Sequence, residues 1–251
     1  MISASFPLRQ HPKWVRGIAH IEDDAIVLDK ASAEEYSILQ SEYRPSLLMD
    51  LTGLRDCKPE DVLRFVRRHG LLWHGPRDLE SGECREYLRD WRLHVGNLWL
   101  TTRLYLSLRV AQEAGTAKPL RAFLRGLRAM DLFYALIPDN DQECLETVSV
   151  LIAERTSSGM EGCNWTLIAE CTLAREGVQE GDAGDFAFGD DPQNLVAAAY
   201  AQLAEVMANK IPFRECEGCG KLFPPKHGSQ TYCDSRCNAR VRKARQRAKE
   251  I

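Results

Sequence analysis

The sequence contains no run of 18 or more uncharged apolar residues, so a membrane-spanning helix is not expected. Its first residues, MISASFPLRQHPKW, lack the apolar centre of a secretory signal. No phosphate loop, GxGxxG, GxSxG or HExxH is present. Internal repeats and low-complexity tracts are also missing. These absences lead to an expectation of a soluble, cytoplasmic chain without a recognisable catalytic motif. Chemistry assembled from residues distant in the chain stays open.

What the chain does have is an uneven distribution of cysteine and charge. There are nine cysteines in 251 residues. Cys57, Cys84, Cys144, Cys163 and Cys171 are scattered, and in a reducing compartment they read as small buried apolar residues. Cys216, Cys219, Cys233 and Cys237 are clustered near the C-terminus. The net charge is −3, but residues 210–251 hold 11 Lys/Arg against 4 Asp/Glu, or +7. That leaves 22 against 32, or −10, in residues 1–209. Opposed charge on two segments points to two functional parts and an anionic partner for the basic one.

The periodicity of residues 1–209 predicts an acidic, mostly helical domain with minor β structure. Residues 1–30 read as irregular, with a short strand at Ala25–Leu28. SLLMDLTGL is a short apolar segment. PEDVLRFVRRHG reads as a helix opened by Pro59, favoured by Glu60 and Asp61 at its positive end and stopped by Gly70. A long helix is predicted over residues 82–114, closed by Gly115, with Leu88, Trp91, Val95, Leu98, Trp99 and Tyr105 as its apolar set. Further helices are expected over Leu120–Leu136, Gln142–Arg155 and DPQNLVAAAYAQLAEVMANK, the last with one apolar face. Residues 160–173 fit strand or helix, and the Gly/Asp-rich residues 177–191 read as a loop. His69 and His74 read as surface or loop histidines.

Residues 210–251 predict a small four-cysteine zinc finger of treble-clef type with a basic C-terminal helix. Cys216-x2-Cys219 and Cys233-x3-Cys237 form two tight pairs 13 residues apart. Such pairs bring four thiolates together with little loop-closure entropy, and zinc takes four soft ligands in a tetrahedron. Two disulfides, a redox pair and an iron–sulfur cluster are the competing readings. One zinc ion held by four thiolates has no open position, so its role is structural. Lys221–Pro224 and Gln230–Cys233 are expected to form a hairpin with His227-Gly228-Ser229 at its tip. Asp234 or Ser235 then caps a helix that carries Cys237.

On that helix Cys237, Val241, Ala244 and Ala248 make one apolar stripe. Arg236, Arg240, Lys243 and Arg247 share a second face, and Arg242, Arg245 and Lys249 a third. So dense a positive charge repels itself and calls for a counter-anion, of which a phosphate backbone is the natural one. Lys221 and Lys226 extend the patch. A solvated tail, or one docked on protein, is the competing reading.

The run YCDSRCNARVRKARQR resembles the CGNR-type zinc finger of bacterial proteins. The resemblance rests on Tyr232, Cys233, Cys237, Asn238, Arg240, Arg242 and Arg245, and it covers about 40 residues of the chain. The last cysteine is followed here by Asn-Ala-Arg, where the family reads Cys-Gly-Asn-Arg. The stretch LLMDLTGLRDCKPEDVLRFVRRHGLL is similar in style to domains found ahead of such fingers. The resemblance implies a DNA-binding, regulatory protein. The expected partner is therefore nucleic acid, double-stranded DNA in particular, with the helical part as sensor or dimerisation domain. A homodimer stays open. The alternatives are a protein-interaction module with a structural zinc site and a nucleic-acid-processing enzyme whose finger delivers substrate.

Overall fold

The computed structural model describes residues 13–37, 46–74, 84–130, 136–160, 165–167, 173–175 and 194–248. The chain is mainly α, with small antiparallel sheets. Near the N-terminus β1 (Lys13–Arg16) pairs with β4 (Glu34–Ser37). Between them, β2 (Ala19–Glu22) and β3 (Ala25–Leu28) form a hairpin, and β5 (Arg85–Tyr87) joins β3 on its other side. The hairpin turns on Asp23 and Asp24, both at positive φ (48° and 58°), the backbone that a two-residue turn between twisted strands demands. The expected strand at Ala25–Leu28 is thus the centre of a three-stranded sheet. Residues 13–16 and 19–22, expected to be irregular, are strands as well.

Two helices follow, α1 (Ser46–Thr52) and α2 (Pro59–His69). Pro59 sits in the first turn of α2, with Glu60 and Asp61 beside it. Val62, Phe65 and Val66 are buried, while Leu63 is only half-buried. Gly70 ends the helix at φ +91°, and a Cβ there would collide with the Val15 carbonyl oxygen. Strand β1 crosses this end of α2 closely, and Trp14 Nε1 donates to Leu71 O at 2.8 Å.

The body is organised around α3 (Leu88–Ala114), whose 27 residues span about 40 Å. It starts later than the sequence pattern predicts, because Arg85–Tyr87 is claimed by the sheet through pairing with β3. Gly115 closes it in the left-handed conformation. Then come α4 (Lys118–Ala129) and α5 (Asp141–Gly159). Residues 130 and 136 lie outside α4, whose expected end at Leu136 is too late, while α5 runs beyond its expected end at Arg155. Asn140 caps α5 by accepting from Glu143 N at 3.1 Å. Strands β6 (Trp165–Leu167) and β7 (Leu173–Arg175) pair and place strand within the ambiguous region 160–173. The expected loop 177–191 lies outside the described residues.

Helix α6 (Leu195–Ala208) is capped by Asn194 and buries every residue from Leu195 to Met207 except Glu205. The single apolar face expected from its sequence is too narrow a description. The alanines at 197, 198, 201 and 204 let α1, α3 and α5 pack around the helix, so nearly the whole perimeter is covered. Tyr200 on α6 presses its ring against Gly159 at the end of α5, where a Cβ would overlap the ring. Gly159→Ala should therefore destabilise the body by about 1–3 kcal/mol through overpacking. Urea unfolding followed by circular dichroism measures this, and an unchanged midpoint would show that the ring yields freely.

The chain ends in β8 (Arg214–Glu215), β9 (Leu222–Phe223) and α7 (Ser235–Arg247). Here the buried apolar cluster is Cys216, Phe223 and Cys237, with Met49, Tyr232 and Cys233 packed on it. That cluster is far too small to fold a module without another stabilising element.

Candidate metal centre

Cys216 follows β8, and the chain turns back at once. Cys216 N donates to Lys221 O at 2.9 Å, and Gly220 N donates to Cys216 O at 2.8 Å. Gly220 takes φ +70°, which completes the tight knuckle. The hairpin of this region is therefore β8 with β9, across the first cysteine pair. It is not the expected pairing of Lys221–Pro224 with Gln230–Cys233. The reason is local: the knuckle returns residues 222–223 directly alongside 214–215. Residues 230–233 instead lie beside the knuckle, where Glu217 N donates to Thr231 O at 3.1 Å.

Asp234 caps α7 by accepting from Cys237 N at 2.7 Å. That hydrogen bond holds the Asp234 carboxyl below the ordinary aspartate pKa. The cap puts Cys237 in the first turn of α7, facing inward and 5 % exposed. A Cβ on Gly218 would lie 3.1 Å from Val241 Cγ2 and 3.3 Å from Cys237 Cβ, so the helix rests closely on the knuckle.

The four sulfurs lie within 4.8 Å of one another. Cys219 Sγ is 3.7 Å from Cys233 Sγ, which is 3.5 Å from Cys237 Sγ. A tetrahedron with metal–sulfur bonds of about 2.3 Å has sulfurs about 3.8 Å apart, so the quartet fits a single metal ion. Backbone donors also favour thiolate at Cys216, whereas burial and the neighbouring cysteines push the Cys233 pKa up. Burial works to raise the Cys216 pKa, but the amides of Cys233 (3.3 Å) and Gly218 (3.4 Å), with that of Cys219, outweigh it and bring the thiol down to about 7.

Around this centre the predicted cations are placed unevenly. Arg236, Arg240, Arg242, Lys243, Arg245 and Arg247 are all exposed along α7. Among the described residues their one ion pair is Arg245 with Glu217, at 3.7 Å. The apolar stripe is shorter than expected: Cys237 is buried and Val241 half-buried, but Ala244 and Ala248 are exposed. Every described residue after Val241 is exposed, so the last turns of α7 project beyond the small cluster. Lys226 is exposed on the loop before Gln230. Lys249 lies outside the described residues. Lys221 rests against α1, its Cε 3.4 Å from where a Gly53 Cβ would stand.

The finger is joined to the helical body through side chains that the sequence pattern does not single out. Glu215 of β8 forms an ion pair with Arg103 of α3. Arg103 also lies over the Trp99 and Phe123 rings, and Arg55 stacks on Trp99 at 4.5 Å. Burial, with Arg55 close by, pushes the Arg103 pKa down. Met49 of α1 packs on the metal-site cluster. The available signal was an acid, Glu215, inside a module otherwise rich in base. Its partner, far off in the chain, left no local trace.

His69 is not a surface histidine. It is 5 % exposed in the last turn of α2, and its Nε2 lies 2.8 Å from Asp50 Oδ2. Arg68 also pairs with Asp50, at 2.7 Å. His74 is half-buried beside Glu86 at 3.1 Å. No described helix is long and apolar enough to cross a membrane. No family model, no curated protein and no solved structure matches this chain.

Proposed function

We propose that the chain is a nucleic-acid-binding protein whose C-terminal finger is folded by one structural zinc ion and whose helix α7 binds the phosphate backbone of double-stranded DNA. Four thiolates in tetrahedral reach of one another favour zinc, and the closed shell leaves it no catalytic position. The observation that carries the reading is the exposed cationic surface of α7. Six cations stand on a helix fixed at its start by the Asp234 cap and Cys237, with one long ion pair to offset them. A fixed rod of charge suits a regularly spaced polyanion better than a solvated tail does. The same features support assignment to the CGNR-type fingers and a role as a DNA-binding regulator, the helical body acting as sensor or dimerisation unit.

Most of these side chains suit phosphates more than base edges, so affinity should depend steeply on salt. If α7 makes roughly five phosphate contacts, log affinity for a duplex falls against log salt with a slope of about −4 to −5. In the triple variant Arg240→Ala/Arg242→Ala/Lys243→Ala the slope should drop by about 3, with weaker binding at every salt concentration. Fluorescence anisotropy on a labelled duplex reads both quantities. Unchanged affinity and slope in the triple variant would remove α7 as the binding surface.

A further inference from the structure

Where the finger meets the body the surface is concave. A cavity of about 170 Å³ opens between α1, α2 and the residue that leads into β9. Its apolar side is Phe65, 4 % exposed, and Leu54, 8 % exposed. Its polar side holds three cations and two carboxylates. Both carboxylates already have partners: Asp50 is held by Arg68 and His69, and Asp61 by Arg64 at 2.7 Å. The third cation, Lys221, forms no ion pair among the described residues; burial works to raise the Asp50 pKa, and His69, Arg68 and, least of all, Lys221 through space bring it down. The cavity therefore carries one uncompensated positive charge above an apolar wall.

We propose that this cavity binds a small organic carboxylate, with the carboxylate on Lys221 and Arg68 and the apolar part against Phe65 and Leu54. The size fits, since an enclosed cavity of about 150 Å³ holds one benzene ring. A single negative charge neutralises the excess, and the guanidinium of Arg68 can donate to the ligand with the N–H groups that Asp50 leaves free. Asp50, Arg68 and Phe65 belong to the body and Lys221 to the finger, so an occupied cavity ties the two together. The site is independent of what α7 binds.

Benzoate is the probe, titrated into the metal-loaded full chain by calorimetry and by amide chemical shifts. Saturable binding at one site is expected in the millimolar range, with shifts at Gly53 and His69. Benzamide, which has the same shape without the charge, should not bind. Lys221→Gln and Arg68→Gln should each weaken benzoate roughly tenfold, the loss of one charge-assisted hydrogen bond. Lys226→Gln, on the finger but outside the cavity, should leave it unchanged. Lys221 is exposed and in no ion pair among the described residues, so Lys221→Gln should keep the unfolding midpoint of the parent, while Arg68→Gln, which loses an exposed ion pair to Asp50, should lower it only slightly; both are measured alongside. The proposal is overturned if benzoate does not saturate, if benzamide binds equally, or if neither variant weakens binding. It is also overturned if benzoate fails to bind while Lys221→Gln weakens duplex binding, because the cations then belong to a nucleic-acid surface.

Discussion

Stripping the metal from the intact chain will unfold residues 214–248 and leave the helical body standing. The finger buries three residues in its own cluster, and two of them are ligands. Without the ion, Cys216, Cys219, Cys233 and Cys237 no longer hold the knuckle to α7. Helix α7 has 13 residues and a mostly cationic surface, so it is too short and too self-repelling to persist alone in water. Structural sites of this kind contribute about 10–16 kcal/mol of apparent binding energy, all of it coupled to folding. With a strong chelator present, amide protection in 214–248 should therefore disappear while that of α3, α5 and α6 persists. Cys237→Ser should produce the same state without chelator and abolish duplex binding. Hydrogen exchange read by mass spectrometry resolves the two regions, and a finger that keeps its protection in metal-free buffer would show that packing on Met49 and the Arg103–Glu215 pair suffices.

Replacing Glu86 with alanine should destabilise the body by about 3–5 kcal/mol, because a buried carboxylate that satisfies several donors is removed and they are left without acceptors. Glu86 lies on β5 with its side chain 3 % exposed. It accepts from the backbone amides of Leu72 at 2.9 Å, Trp73 at 2.5 Å and His74 at 3.3 Å, and from Trp91 Nε1 at 2.8 Å. His74 Nδ1 lies 3.1 Å away. The chain after α2 is thereby pinned to the first turn of α3. Glu86→Gln keeps one acceptor oxygen but turns an NH2 toward these donors, so it should fall between alanine and the parent. Urea unfolding of the metal-loaded protein gives the comparison. A loss under about 1 kcal/mol for the alanine variant would mean that water replaces the carboxylate.

Several elements were legible from the chain alone because their signals are local. The start of α2 follows from Pro59 and the acids after it, and the end of α3 from Gly115. Other readings failed where the signal came from elsewhere in the fold. Arg85–Tyr87 continues an amphipathic helical pattern, yet the free edge of β3 takes those residues into a sheet. Helix α6 carries a one-sided stripe but is buried almost all round, because three helices close on its alanines. A hairpin written across 221–233 gave way to the shorter return of β9 onto β8. The exposed Ala244 and Ala248 show that an apolar stripe packs only as far as there is a surface beneath it.

The cysteine quartet and the opposed charges of the two segments follow from local spacing and composition, since ligands three or four residues apart meet through the geometry of one turn and one helix. The seam between finger and body needed the folded chain: Glu215 reaches Arg103, His69 and Arg68 hold Asp50, and Lys221 lines a cavity with residues of α1 and α2. The first and last of these join residues widely separated along the chain. They exist only because the packing of α1, α2 and α3 brings their side chains to one surface, and no spacing in the chain encodes that arrangement.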